Sequence, residues 1–139
     1  MTKEEVIDLI KDAGFGVLAS ISNNQPKARP MMPYLTEQGD LLLAVLSHSR
    51  TINDIKQNPR VEICYIDRKM CFARVSGKAK ISQDAEKKQL VWNNIPMLRQ
   101  YFGSPQDLNF VLIEIETDSV EAMTPQQPKP DVLSLKQVP

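Results

Sequence analysis

The chain is poor in the residues that most often carry protein chemistry. It has one histidine and two cysteines in 139 residues, and the positions of His48, Cys64 and Cys71 match no zinc-ligand spacing. Both cysteines fall in stretches that read as strands, so buried free thiols are expected. Seventeen basic side chains are balanced by seventeen acidic ones, which leaves no electrostatic footprint for nucleic acid or an anionic membrane. No apolar run approaches the ~20 residues of a membrane helix. The opening MTKEEVIDLI has neither the basic n-region nor the apolar h-region of a signal peptide. Internal repeats and a Gly-rich dinucleotide fingerprint are also missing. These absences point to one soluble domain, expected in the cytoplasm and long enough to bury a core.

What is present is a succession of short strands. Thr2 to Glu5 reads as a capping box that starts a helix with an apolar stripe at Val6, Leu9, Ile10 and Ala13, and Gly14 suits its stop. Gly16 to Ser22 reads as the first strand and Asn23-Asn24-Gln25 as a hairpin turn. The second strand, Lys27 to Leu35, carries prolines at 30 and 33, which cannot donate to a ladder and therefore imply a free edge or a bulge. Alternation places Lys27, Arg29 and Met31 on one face of it. An arginine in such a strand is costly unless it snorkels to the surface or meets an anion.

Further strands follow. Gly39 marks the next turn. Leu41 to Leu46 is an apolar strand, and Val61, Ile63 and Tyr65 alternate with Glu62 and Cys64 in another. Met70 to Ser82 alternates over a longer span with Gly77 as a bend, and Asp84 caps a helix whose buried candidates are Ala85, Leu90 and Val91. Asn109 to Glu116 and Ser119 to Met123 complete the set. Six to seven strands in hairpins, with helices between them, make a mainly β protein, a small antiparallel barrel with flanking helices. From Thr124 the character changes: TPQQPKPDVLSLKQVP holds four of the ten prolines and reads as an extended or disordered arm, or one lying on a partner.

The most informative stretch is LLLAVLSHSRTINDIKQNPRVEICYI, from Leu41 to Ile66. A strand feeds Ser49, Arg50 and Thr51 into a helix capped by Ser49 and stopped at Asn58-Pro59. Hydroxyls, a guanidinium and first-turn amides at a helix start form a sound anion site, with phosphate the natural ligand, although a helix start needs such a cap whether or not anything binds there. His48 beside Ser47 and Ser49 does not make a catalytic pair, because neighbours in a chain do not generally face one another. No catalytic residue is assigned.

The order strand, S-R-T, helix, N-P-R-V, strand resembles the phosphate-gripping segment of the pyridoxamine 5'-phosphate oxidase-like, FMN-binding split-barrel family. The strand Val75 to Ala79 (VSGKA) and the run from Trp92 to Ile115 resemble the general-stress-protein branch of that family. The resemblance covers about residues 5–123. It implies a split-barrel domain over 1–123, a Pro-rich extension over 124–139, and a homodimer with FMN at the subunit interface. It further implies that Ser49, Arg50 and Thr51 hold the phosphate, that Arg29 and Met31 reach the flavin, and that Trp92 borders the flavin pocket. Two departures stand out. Thr51 replaces the lysine many members carry there, giving a hydrogen bond without charge. The C-terminal segment lacks the arginine with which true pyridoxamine phosphate oxidases hold substrate. The expected function is therefore an FMN-dependent oxidoreductase passing electrons from a small donor to a small acceptor, with the cofactor supplying the chemistry. The alternative is a binding protein for flavin, haem or a deazaflavin, or a scaffold that has lost its ligand. An open cleft favours the enzyme, and occlusion by Trp92 or the tail favours the binder.

Overall fold

The structure, a computed structural model, describes residues 1–136. Helix α1 (Lys3–Ala13) begins with the expected capping box: the Thr2 hydroxyl accepts from the Glu5 amide at 3.1 Å, and the Glu5 carboxylate accepts from the Thr2 amide at 3.2 Å. It buries Val6, Leu9 and Ile10 and stops at Gly14. Strands β1 (Gly16–Ser22) and β2 (Gln25–Met31) form a hairpin about Asn23 and Asn24, both at positive φ. Gln25 belongs to the strand rather than the turn, because two left-handed residues suffice to reverse the chain.

The stretch read as one second strand is two. It breaks at Met32-Pro33, and β3 (Tyr34–Leu35) pairs instead with β4 (Leu41–Leu46). The rest of the sheet is β5 (Arg60–Ile66), β6 (Phe72–Ser82), β7 (Phe110–Met123) and β8 (Asp131–Leu133). Every pairing is antiparallel, in the order β2-β1-β5-β6-β7-β4-β3, with β8 added to β7. The two ends of this order, β2 and β3, are consecutive in the chain. The barrel is therefore closed covalently through Met32-Pro33, while among the described residues no ladder joins β2 to the strands after it. That is a split barrel.

The last two expected strands merge into β7, with a bulge where Ser76 pairs Ser119 and Gly77 pairs Thr117, leaving Asp118 as the extra residue. Gly77 is required here, since a Cβ would lie 2.3 Å from the Glu116 carbonyl oxygen. Two apolar clusters flank the sheet. The larger, inside the barrel, takes Leu41, Leu43, Val45, Ile63, Tyr65 and Val75. The smaller, outside it, gathers Leu42, Leu112, Phe110 and Phe102 under α3 (Ala85–Asn94) and the 3-10 turn Pro96–Gln100. Both faces of β4 are thus covered, which explains its unbroken apolar run.

Helix α3 corrects one expectation. Asp84 does cap it, accepting from the Lys87 amide at 3.1 Å, but Ala85 and Leu90 are exposed, while Val91 and Lys88 are buried. The Lys88 ammonium lies over the Phe110 ring at 5.2 Å and donates to Gln83, so the cation is compensated where the apolar pattern of the helix is weak. Among the described residues no helix is long and apolar enough to cross a membrane, and both cysteines are free and half-buried.

The C-terminal segment is extended, as read, but lies on its own chain. After β8, Leu135 is 2% exposed inside the barrel core. It covers the turn at Gly39, where φ is +92° and a Cβ would stand 2.1 Å from the Leu135 carbonyl oxygen. Lys136 pairs with Asp40, and Lys3 donates to the Lys136 carbonyl at 2.9 Å. Leu135→Ala is accordingly expected to lower unfolding stability by roughly 2–5 kcal/mol, the range for a buried leucine. Denaturant titration checks this, and a midpoint like the wild type's would mean that the segment contributes no core.

Candidate functional site

A cleft of about 390 Å³ opens at the split. One wall is the end of β2, from Arg29 to Met32, and the floor is β4, from Leu43 to Leu46. Ser49 and Thr51 edge it at the start of α2 (Arg50–Gln57). The opposite wall comes from Ile95, Met97, Leu98, Tyr101 and Phe102, and Phe15 lies at the rim. Tyr101 and Phe15 are more than half exposed. The lining is thus largely apolar with a few polar groups at one end, the usual character of a small-molecule site.

The polar end is built locally. Beyond β4, the Ser47 amide donates to the Asn109 carbonyl at 2.9 Å, the Ser49 amide donates to Leu46 at 2.9 Å, and the Ser47 hydroxyl meets the Asn109 side chain at 3.1 Å. These bonds fix the turn into α2. The Ser49 hydroxyl then accepts from the Thr51 amide at 3.2 Å, and the Ser49 carbonyl accepts from the Ile52 amide at 3.2 Å. Two first-turn amides are therefore already engaged, which leaves side chains to provide most of an anion's grip. Thr51 is buried in the cleft wall. Arg50, between Ser49 and Thr51 in the chain, is exposed and outside the lining, and its side chain makes no hydrogen bond or ion pair among the described residues.

Arg29 is the one charged residue in the lining. Its guanidinium donates to the Ser20 hydroxyl at 2.8 Å, to the Leu18 carbonyl at 3.4 Å, and to Asp54 on α2 at 3.4 Å. Neither the surface nor a ligand is needed to accommodate the charge, because Asp54 on the inner face of α2 meets it. Sequence reading missed Ser20 and Asp54. The available signal was Asp54 itself, a carboxylate three residues from Thr51 and beside Ile55 on the buried side of a short helix.

The structure brings Arg29, Met31, Ser49 and Thr51 together and leaves Arg50 outside the lining. Trp92 stands apart. It is half-buried in the outer cluster, with Arg99 over its ring at 4.5 Å and donating to its carbonyl at 3.1 Å. His48 is exposed and outside the cleft. None of the described residues after β7 lines it either.

The chain is a split barrel with a largely apolar cleft and a serine-arginine-threonine turn at the start of α2. The family described as pyridoxamine 5'-phosphate oxidase like matches residues 1–127, and the chain belongs to it. It is 26% identical to general stress protein 26 of Bacillus subtilis (strain 168), over 96% of each chain. The crystal structure of general stress protein 26 from Bacillus anthracis str. Sterne superposes with a TM-score of 0.81 at 30% identity, covering 95% of this chain and 97% of that one. Two more distant structures share the fold alone. One is a pyridoxamine 5'-phosphate oxidase-related, FMN binding protein of Nostoc punctiforme (TM-score 0.69, 16% identity, covering 93% and 86%). The other is a heme binding protein of Mycobacterium smegmatis (0.78, 14%, 97% and 59%).

The cap can be separated from the ligand grip. Ser49→Ala is expected to cost about 0.5–2 kcal/mol of stability, whereas Ser49→Asp, an equally good cap, retains it. Thermal melts of the two variants against wild type check this, and equal losses in both would show that the hydroxyl does not cap α2.

Proposed function

We propose that the cleft binds FMN and that the protein is a cytoplasmic FMN-dependent oxidoreductase. The observation that carries the reading is an open cleft: neither Trp92 nor any described residue of the C-terminal segment lines it. The side chains also fit the cofactor. Ser49 and Thr51 offer hydroxyls and Arg50 a free guanidinium for the phosphate. Met31, Leu43, Val45, Leu98 and Phe102 offer apolar surface for the ring, and Arg29 offers a cation for its polar edge. FMN supplies hydride and electron transfer when bound. Among the described residues no aspartate, glutamate, histidine, lysine or cysteine lines the cleft, so the chain's part in this reading is to bind, orient and shield from water. The electron donor would be a reduced nicotinamide or similar molecule, and the acceptor a small one.

Oxidation of pyridoxamine phosphate is not the reaction we infer. Residues 124–139 contain no arginine, and those described pack on β7 and the Gly39 turn, away from the cleft.

The absorption spectrum of the purified protein and titration of the apoprotein with FMN test the reading. Arg50→Ala is expected to weaken FMN at least tenfold, about 1.4 kcal/mol, while stability stays within about 0.5 kcal/mol, as for other exposed positions. Absence of flavin and of saturable FMN binding would overturn the reading, and a haem spectrum would replace it with the binding-protein alternative.

A homodimer belongs to the same proposal. The outer face of the sheet carries a row in register across five strands, Val17, Cys64, Arg74, Glu121 and Val132. No helix covers Val17, Val132 or the nearby Ile66, which are 45%, 72% and 52% exposed. The Arg74–Glu121 pair at 3.2 Å lies mid-row and gives the face both signs of charge, which lets it meet a second copy of itself without net like-charge repulsion. Light scattering is expected to give twice the chain mass, and Val17→Lys to halve it. A monomeric wild type would contradict this.

A further inference from the structure

We propose that Asp54 and Ser20 are positioning residues for Arg29, and that Asp54 sets how much of the Arg29 charge the cleft presents to an anionic ligand. The inference deepens the flavin reading above and rests on it for the identity of that ligand.

Arg29 ties three elements together. It stands on β2, takes acceptors from Ser20 and Leu18 on β1, and reaches Asp54 on α2. The bonds are unequal. The Ser20 contact, at 2.8 Å, fixes the plane of the guanidinium, and the Asp54 contact, at 3.4 Å, is at the limit of a hydrogen bond. Ser20 and Asp54 are 2% and 6% exposed, while the Arg29 side chain is 23% exposed and lines the cleft. Among the described residues no other donor reaches the Asp54 carboxylate.

A buried carboxylate with one long contact is poorly compensated, and it lies three residues after Thr51 and five after the Ser49 cap, on the same helix. Alone it would repel a phosphate there. A guanidinium has five N–H donors, and the contacts to Leu18, Ser20 and Asp54 use three of them. A ligand can therefore engage Arg29 without displacing Ser20. Once it does, ligand and Asp54 share one cation. Asp54 orients the guanidinium and, by the same contact, weakens its pull on a second anion.

Asp54→Asn keeps the shape and removes the charge. It is expected to tighten FMN about tenfold and to tighten reduced FMN, the more anionic form, by a further tenfold. The flavin midpoint potential then rises by about 30 mV for a two-electron couple. A purely structural role would change the melting temperature and leave the potential unmoved. In an Arg29→Gln background Asp54→Asn should have a smaller effect on both quantities, because the part of its effect that runs through Arg29 is gone and only the direct repulsion remains to be relieved. Should Asp54→Asn fail to fold, Ser20→Ala retains both charges and frees the guanidinium, and is expected to weaken FMN severalfold.

Inorganic phosphate, titrated into apoprotein carrying 15N-labelled arginine, gives a readout independent of flavin. There Asp54→Asn should tighten phosphate about tenfold. Wild type that takes FMN, with Asp54→Asn altering neither affinity nor potential, would overturn this inference and leave the flavin reading intact. Tighter phosphate without any FMN binding would do the reverse, and a wild type that takes neither ligand would overturn both.

Discussion

The cleft depends on a sheet that cannot close on itself. Prolines at 30 and 33 lack the donors a strand needs on both sides, so β2 is confined to an edge. Its continuation, β3, pairs with β4 at the other end of the strand order. Two residues, Met32 and Pro33, span what hydrogen bonds would otherwise fill. The polar backbone of that gap is left to side chains, solvent or a ligand, and the cleft lies there. Because both covers of β4 are packed, its inner face on the barrel core and its outer face on the Phe102–Phe110 cluster, the floor is held from two sides. A rigid floor beneath an unpaired edge suits a planar ligand better than a deformable groove would.

What the sequence showed clearly was set by neighbours in the chain. The capping box at Thr2, the left-handed asparagines of the first hairpin, the Ser49 cap and the stop at Asn58-Pro59 need only a few consecutive residues, and the alternation of β5 needs one buried face. The S-R-T turn was legible for the same reason. What the sequence concealed was set by partners far along the chain. Asp54 meets Arg29 across 25 residues and Lys136 meets Asp40 across 96. No local pattern says that a Pro-rich segment will return to add a strand to β7 and bury Leu135. The merging of two strands into β7 depended on a bulge that only the register against Gly77 reveals. The exposed Leu90 and buried Lys88 of α3 follow from which side of the helix meets Phe110, a choice its weak apolar pattern did not make.

Arg29 shows why composition misleads about such a site. A lone arginine in a half-buried strand suggests either a surface cation or a waiting anion. Here it has protein acceptors already, so its presence alone is no evidence for a ligand. The open cleft carries the ligand argument, and Arg50 adds an exposed guanidinium with no protein partner among the described residues, next in the chain to the Ser49 and Thr51 of the lining. Among the described residues the lining holds no aspartate, glutamate, histidine, lysine or cysteine.

The position of Thr51 follows from this arrangement. Its side chain is 5% exposed on the inner face of α2, three residues before Asp54. A lysine there would bury its stem and bring an ammonium next to that carboxylate. Asp54 already meets Arg29 from β2 through one long contact, so such an ammonium would share that carboxylate with Arg29. Threonine brings no second cation there. Among the described residues it leaves Arg29 as the charged residue of the lining, with the exposed Arg50 outside it. Arg29 brings its charge into the cleft from the edge strand β2. That strand can hold an arginine in the cleft because its prolines prevented it from being paired away.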